Sequence, residues 1–213
     1  RRVAGDQVTA EANLTSSFSI GTGARIVNTQ KAHSQGSLIT TDNSLDLAIE
    51  GGGFFQVLLP DGRIGYTRNG AFSTNNEGVV TTSSGYVVQP EIAIPDGVTQ
   101  INISRDGIIS VLVAGAVGAD AVGQMQIADF TNRGGLQPIG ESFFVETDTS
   151  GDPIIGNPQD VGLGRLIQGA LEASNVNVVT ELVEMIETQR AYEVSSKSIT
   201  SVDEMLRYIS QNL

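Results

Sequence analysis

Val178, Met185, Tyr192, Ile199, Leu206 and Leu213 stand seven residues apart in the last stretch of the chain, and every one is apolar. Leu182 joins the first repeat four residues on, and Val202 and Ile209 extend the last repeats three residues on. A strict seven-residue repeat under-winds an α-helix to 3.5 residues per turn and keeps one stripe facing a partner helix. A helix lying on its own sheet, the competing reading, follows 3.6 and shows a wider apolar face. The local chemistry agrees with a helix. No Gly or Pro follows Gly169, and Ser174, Asn175 and Asn177 all offer N-cap side chains. Glu181, Glu184 and Glu187 crowd the early turns while Arg190, Lys197 and Arg207 come later, matching the helix dipole. Glu193 with Lys197 and Asp203 with Arg207 are spaced i,i+4 in the favourable order. The spacing predicts one helix of roughly 35 residues, about 50 Å long. Its seam is lean in the middle, where Gln189 and Ser196 replace further apolar residues.

Upstream the pattern changes. Pro60-Asp61-Gly62, Asn69-Gly70, Asn76-Glu77-Gly78, Ser84-Gly85, Asp96-Gly97 and Asp106-Gly107 mark turns at short intervals. Between and beyond them lie the β-branched or aromatic runs Phe54–Leu59, Val79–Thr82, Tyr86–Val88, Ile108–Val113 and Phe143–Thr147. Turns at that spacing, with no helical period between them, predict antiparallel hairpins rather than βαβ units. Pro90 and Pro95 limit Glu91–Ile94 to an edge strand or a crossing between sheets. The expected fold is therefore mainly β, an antiparallel β-rich domain, with a long C-terminal α-helix. Its parts are an extended arm over 1–24, a β-rich outer domain over 25–170 with a candidate subdomain near 86–130, and the helix over 171–213. Arg1–Asn13 is polar and Ser16–Gly23 is rich in Ser, Thr and Gly, so the arm has little of its own to bury.

Composition narrows the function. The 213 residues carry 12 Lys plus Arg against 24 Asp plus Glu, a formal charge of −12. That excludes a general nucleic-acid binder, which needs a basic face for phosphates, and argues against docking on anionic lipid. The absence of cysteine removes disulfides, thiolate nucleophiles and Cys-based zinc sites. No apolar run approaches the ~20 residues that span a bilayer, and no signal peptide opens the chain. The start at Arg1 without a Met reads as a truncation.

No catalytic, cofactor or metal site is expected. His33 is the sole histidine and reads as a surface residue. Leu45, Leu47 and Ile49 alternate as a strand does, which sends Asp46 and Glu50 to the other face as solvated charges. Thr147–Asp152 has the look of a calcium loop but lacks the ligand spacing, and reads as a turn. Gly51-Gly52-Gly53 and Gly162-Leu163-Gly164 have no following Lys-Ser/Thr, so glycine there supplies positive φ or close backbone contact rather than a phosphate cradle.

Three stretches resemble the bacterial flagellar basal-body rod and hook axial proteins. The first contains Asn43, Asp46, Ala48, Gly51, Gly53, Phe54 and Phe55, and runs on to Arg68, Gly70 and Phe72. The second is Phe130, Gly135-Leu136, Gly140 through Phe144 and Ser150-Gly151. The third holds Ser174, Asn175 and Val176, and closes on Arg190, Ala191 and Tyr192 with Met205-Leu206. His33-Ser34-Gln35-Gly36 makes the chain most similar to the distal rod subtype.

The resemblance implies a structural subunit, not an enzyme, that polymerises into a helical tube carrying torque from motor to hook. It implies paired terminal helices in an inner coiled-coil domain, a β-rich domain outside, and an N-terminal partner helix that these residues lack. The partners it implies are other copies, neighbouring rod and hook subunits, the surrounding peptidoglycan-layer and outer-membrane ring proteins, and the flagellar type III export machinery, which moves the subunit without a cleaved signal peptide. The site is the rod spanning the periplasm, with no nucleic acid and no direct membrane insertion. A proximal rod or hook subunit is the near alternative. A secreted β-rich cell-wall-binding module is a different class, and needs an exposed aromatic groove from a chain with 5% aromatics and no Trp. A peptidoglycan hydrolase is a third, and needs paired carboxylates in a cleft.

Overall fold

The computed structural model describes residue 25, residues 31–115 and residues 118–211. The arm over 1–24 and the seam residue Leu213 lie outside the described residues. The chain divides into two compact units, Arg1–Lys31 and Ala32–Leu213. All the strands and the helix among the described residues belong to the second.

Among the described residues, sixteen strands precede one long helix. They are β1 (Leu38–Thr40), β2 (Leu47–Glu50), β3 (Phe54–Leu58), β4 (Ile64–Thr67), β5 (Phe72–Thr74), β6 (Val80–Thr82), β7 (Val87–Gln89) and β8 (Val98–Ile103). Then come β9 (Ile108–Val113), β10 (Asp120–Gln124), β11 (Ile127–Asp129), β12 (Gln137–Gly140), β13 (Phe143–Val145), β14 (Ile154–Gly156), β15 (Arg165–Gln168) and β16 (Ala170–Glu172). The helix α1 runs Val178–Gln211. Every strand pair is antiparallel, as the turn spacing predicts.

The largest sheet orders its strands β12-β13-β4-β3-β7-β6-β5, with β11 on β3 and β14 on β11. A second sheet is the meander β10-β9-β8. Two short ladders, β15-β2 and β1-β16, bring late strands back onto early ones. Glu91–Ile94 is a crossing: it makes only a backbone bridge from Ala93 to Val79, while Ile92 and Ile94 are buried.

The main core is apolar and continuous across the sheets, joining Leu47, Ile49, Phe55 and Val57 to Ile109, Val111, Met125 and Leu166. A smaller aromatic cluster of Phe54, Tyr66 and Phe130 packs edge to face on the other side of the large sheet, with Tyr66 and Phe130 centroids 4.7 Å apart. β3 feeds both clusters because alternate side chains leave a strand on opposite faces.

Two expectations are corrected here. Asp46 is not a solvated charge: it is 7% exposed, and the Asn43 side-chain amide donates to its carboxylate at 2.8 Å. All of Leu47, Ala48 and Ile49 are buried, so this strand is covered on both faces and the alternation rule does not apply to it. His33 is half-buried rather than on the surface, its ring 5.8 Å from Phe54 and 5.3 Å from Phe144 in edge contacts. An aromatic patch at the edge of the body gives the imidazole a face to cover.

Candidate assembly site

α1 carries the predicted seam in full view of solvent. Val178, Leu182, Met185, Tyr192, Ile199, Val202, Leu206 and Ile209 are each at least half exposed, and no residue of the helix is buried. Asn177 caps it, its Oδ1 accepting from the backbone N–H of Val179 at 3.0 Å and of Thr180 at 3.4 Å. Asn175 and Ser174, the other cap candidates, are used elsewhere. The pairs Glu193–Lys197 and Asp203–Arg207 are not closed at ion-pair distance among the described residues. Val179, Val183, Ile186, Val194, Met205 and Tyr208 are exposed as well, so apolar surface extends beyond the single stripe.

The helix leaves the body through a built junction. β1 and β16 pair with Leu38 opposite Glu172 and Thr40 opposite Ala170, and the Ala173 N–H donates to Ser37 O at 2.8 Å. The chain therefore enters and leaves the body side by side. Asn175 tightens the pairing: its amide donates to Ala32 O at 3.1 Å, to Ser34 O at 3.0 Å and to Ser34 Oγ at 2.9 Å.

Arg68 is the centre of that junction. Its Nε donates to Glu172 Oε2 at 2.8 Å; Nη1 donates to the carbonyls of Gly51 and Gly53, and Nη2 to those of Ile49 and Gly51, at 3.0–3.2 Å. The second Glu172 oxygen accepts from Gly36 N–H at 2.9 Å. Both charged side chains are largely removed from water, 17% and 10% exposed. A planar guanidinium with five fixed donors suits three converging carbonyls and a carboxylate, and an ammonium does not. Gly51 and Gly53 present those carbonyls with φ of 110° and 128°, a backbone that L side chains rarely adopt. Gly70 serves differently, since a Cβ there would run into the carbonyl oxygen of Leu47.

The residues of the three resembling stretches thus separate by place. Gly51, Gly53, Arg68 and Asn175 meet at the junction. Asp46, Ala48, Phe54, Phe55 and Phe72 are core, with Phe55 and Phe72 edge to face at 5.0 Å. Val176, Arg190, Ala191 and Tyr192 belong to the exposed helical region. Ser34, Gln35 and Gly36 stand out in the sequence only as a mark of subtype, and Glu172 is not read there as a site residue, although the structure puts all four at the junction. Arg68 and Glu172 are 104 residues apart, and the return of β15 and β16 to the early strands brings them together.

The carboxylates displaced from their ordinary values, Glu50, Asp61 and Asp106, are all held low, first by hydrogen bonds from Arg165, Arg63 and Ser104 respectively. A proton-donating acid needs the opposite shift. Tyr66 is pushed up, chiefly by burial and then by the Glu146 carboxylate beside it. Among the described residues no three His, Cys, Asp or Glu gather as a metal site, and no helix is long and apolar enough to cross a membrane. The body's aromatic rings are spent on the core, with Phe54, Phe55, Tyr66, Phe72, Phe130 and Phe143 all buried.

Comparison with known proteins supplies the family. Residues 48–111 match the model described as flagellar hook protein FlgE/F/G D1 domain, and residues 167–212 match flagellar basal body rod FlgEFG protein C-terminal. The chain is 50% identical over 210 residues to the flagellar basal-body rod protein FlgG of Buchnera aphidicola from Acyrthosiphon pisum, covering 99% of this chain and 81% of that protein. The chain belongs to the flagellar basal-body rod protein family. Its subtype is FlgG-like, the distal rod class. The FlgG of Caulobacter vibrioides is 43% identical, with 98% of this chain and 80% of that protein covered. FlgF of the same bacterium is 33% identical, with coverage of 84% and 69%. The first family match ends inside the β body, on β9, and the second begins on β15 and takes in β16 and α1. A rod-family chain is structural, and its place is the basal body.

Proposed function

We propose that this chain is a subunit of the distal rod that polymerises with its own copies into a straight helical tube and hands torque from motor to hook. The β body supplies lateral contacts on the outside of the tube. The seam Val178, Leu182, Met185, Tyr192, Ile199, Val202, Leu206, Ile209 and Leu213 packs against helices outside the described residues. The arm over 1–24 adds contacts between subunits. Neighbouring rod and hook subunits flank the polymer; the peptidoglycan-layer and outer-membrane ring proteins surround it, and the type III export machinery delivers the chain. No step of this role requires catalysis or a cofactor.

The observation that carries the reading is the exposure of α1. Thirty-four helical residues with no buried side chain do not sustain themselves on intrinsic propensity, and heptad-spaced apolar side chains open to water want a second helix. The acidic surface suits a shaft that turns among other proteins, because unpaired like charge discourages adhesion.

The reading is tested by Ile199→Asp in a flagellated cell whose own copy is deleted. The expected result is a normally folded β body, unchanged in its melting, with rods absent and motility lost. Normal rods and swimming in that strain would remove the seam from the assembly mechanism.

A further inference from the structure

The β body has two recesses of opposite character at opposite ends of the same strands. One is a polar groove of about 670 Å³ edged by Asp42 and Asp96, with Glu77 on the adjoining lip. All three carboxylates are exposed or half-buried and none holds a cation among the described residues. The other is a notch of about 700 Å³ walled by Gly51, Gly52, Gly162 and Gly164, which carries Arg105 and Arg165 with a single carboxylate, Glu50, held by Arg165.

The body's charge makes Arg105 unusual. Between residues 32 and 173 there are five arginines against sixteen carboxylates. Arg63, Arg68, Arg133 and Arg165 each hold a carboxylate of their own chain at 2.6–2.8 Å. Arg105 alone holds none at that distance among the described residues, and it is exposed on the turn after β8.

The strands fix where the recesses lie. Along the β2–β15 ladder, Leu47 faces Gln168 at one end and Glu50 faces Arg165 at the other. Gln168 lines the acidic groove, while Glu50 and Arg165 line the notch. β8 repeats the layout: Val98 opens it in the groove, and its closing turn carries Arg105 into the notch. At about 3.3 Å per residue the two recesses are some 10–17 Å apart along the strands, one at each end.

We propose that Arg105 in the notch of one copy docks against the Asp42 and Asp96 groove of the next, a head-to-tail contact between β bodies. This rests on the rod reading and deepens it by naming the surface. Two different patches on opposite ends of one molecule make a heterologous interface, the kind that builds open helical arrays rather than closed dimers. Copies of a chain this acidic repel one another over most of their surface. Arg105 shares the notch with Glu50 without closing an ion pair, and its meeting uncompensated carboxylates selects one register out of many.

The chain's lack of cysteine gives a direct test. Arg105→Cys and Asp96→Cys are placed together in one chain, expressed in a flagellated cell, and the isolated rods are oxidised. A ladder of covalent oligomers on a non-reducing gel, absent from either single variant, is the expected result; rods that assemble and stay uncrosslinked overturn the contact. Should the double variant yield no rods, charge reversal decides. Arg105→Glu and Asp96→Arg are each expected to cut rod yield by roughly an order of magnitude, and their combination to restore it, the behaviour of directly opposed charges. Arg105→Glu swimming as the parent does overturns the contact and leaves the rod reading standing, whereas a parent chain that forms no rods fails the rod reading instead.

Discussion

Phe54 in β3 and Leu182 in α1 are both large apolar side chains in regular structure, yet the first is 0% exposed and the second 50%. The β body buries most of its large apolar residues within one chain, with Ile39, Ile154, Ile155 and Val161 left exposed, and the helix buries none. Each half obeys the hydrophobic effect, but over a different boundary: the body closes its core around one polypeptide, while the helix leaves its apolar side chains open to solvent and, on the proposed reading, closes them in an assembly. The same kind of substitution therefore reads out differently in the two regions.

The largest effect is expected in the body. Phe54→Ala removes a ring that packs on His33, Phe130 and Phe144. It should cost about 3–5 kcal/mol in denaturant unfolding of the β structure. A loss below about 1 kcal/mol would mean that the aromatic cluster is looser than its edge contacts indicate.

Arg68→Ala comes next, at the meeting of the two regions. It leaves Glu172 without its cation and strips donors from the carbonyls of Ile49, Gly51 and Gly53. Both partners keep some contact with water, so a loss of about 2–3 kcal/mol is expected, short of the full cost of breaking a buried pair. Arg68→Lys should recover only part of it, because an ammonium cannot hold carbonyls and carboxylate in one plane. Full recovery on an unfolding curve would reduce Arg68 to a point charge.

A smaller effect comes from Tyr66. Its hydroxyl donates to Glu146 at 3.3 Å, and its ionisation is raised from 10.0 by burial and by that carboxylate. A folded value above the unfolded one favours the protonated fold, so this contribution is complete below about pH 10 and fades as pH rises past it. Tyr66→Phe should flatten the alkaline limb of stability against pH while leaving neutral stability nearly unchanged. An unchanged limb would assign alkaline unfolding to other groups.

The smallest effect sharpens the comparison most. Leu182→Ala changes a residue that touches no core, so the melting of the body in the unassembled chain should move by no more than about a degree. The same variant in the flagellated cell should weaken rod assembly. A shift of several degrees in the lone chain would place α1 on its own body.

Different parts of this molecule are legible for different reasons. Hairpins are local, and Ile108–Val113 matches its strand residue for residue because Asp106-Gly107 marks its start. The helix announces itself by period and caps. β1, β14, β15 and β16 carry no comparable local signal: each has three or four residues, and their partners come from remote sequence or from a sheet edge. The junction is hidden for the same reason. Arg68 reads only as one residue of a resembling stretch, and Glu172 as an ordinary charge, until the return of β15 and β16 to the early strands brings the two together. Asp46 and His33 depart from their sequence reading because alternation and polarity foretell exposure only where a strand has one wet face and a ring has no aromatic neighbour.

The contact between Thr40 and Ala170, with the Thr41 N–H donating to Gly169 O at 2.7 Å, makes residues 41–169 a cassette. Its two splice points already touch, so a short reverse turn there would rejoin the flanking segments with little rearrangement. Nature and the engineer share that freedom: an outer module can be enlarged, exchanged or deleted between those points while the helical portion keeps its own register.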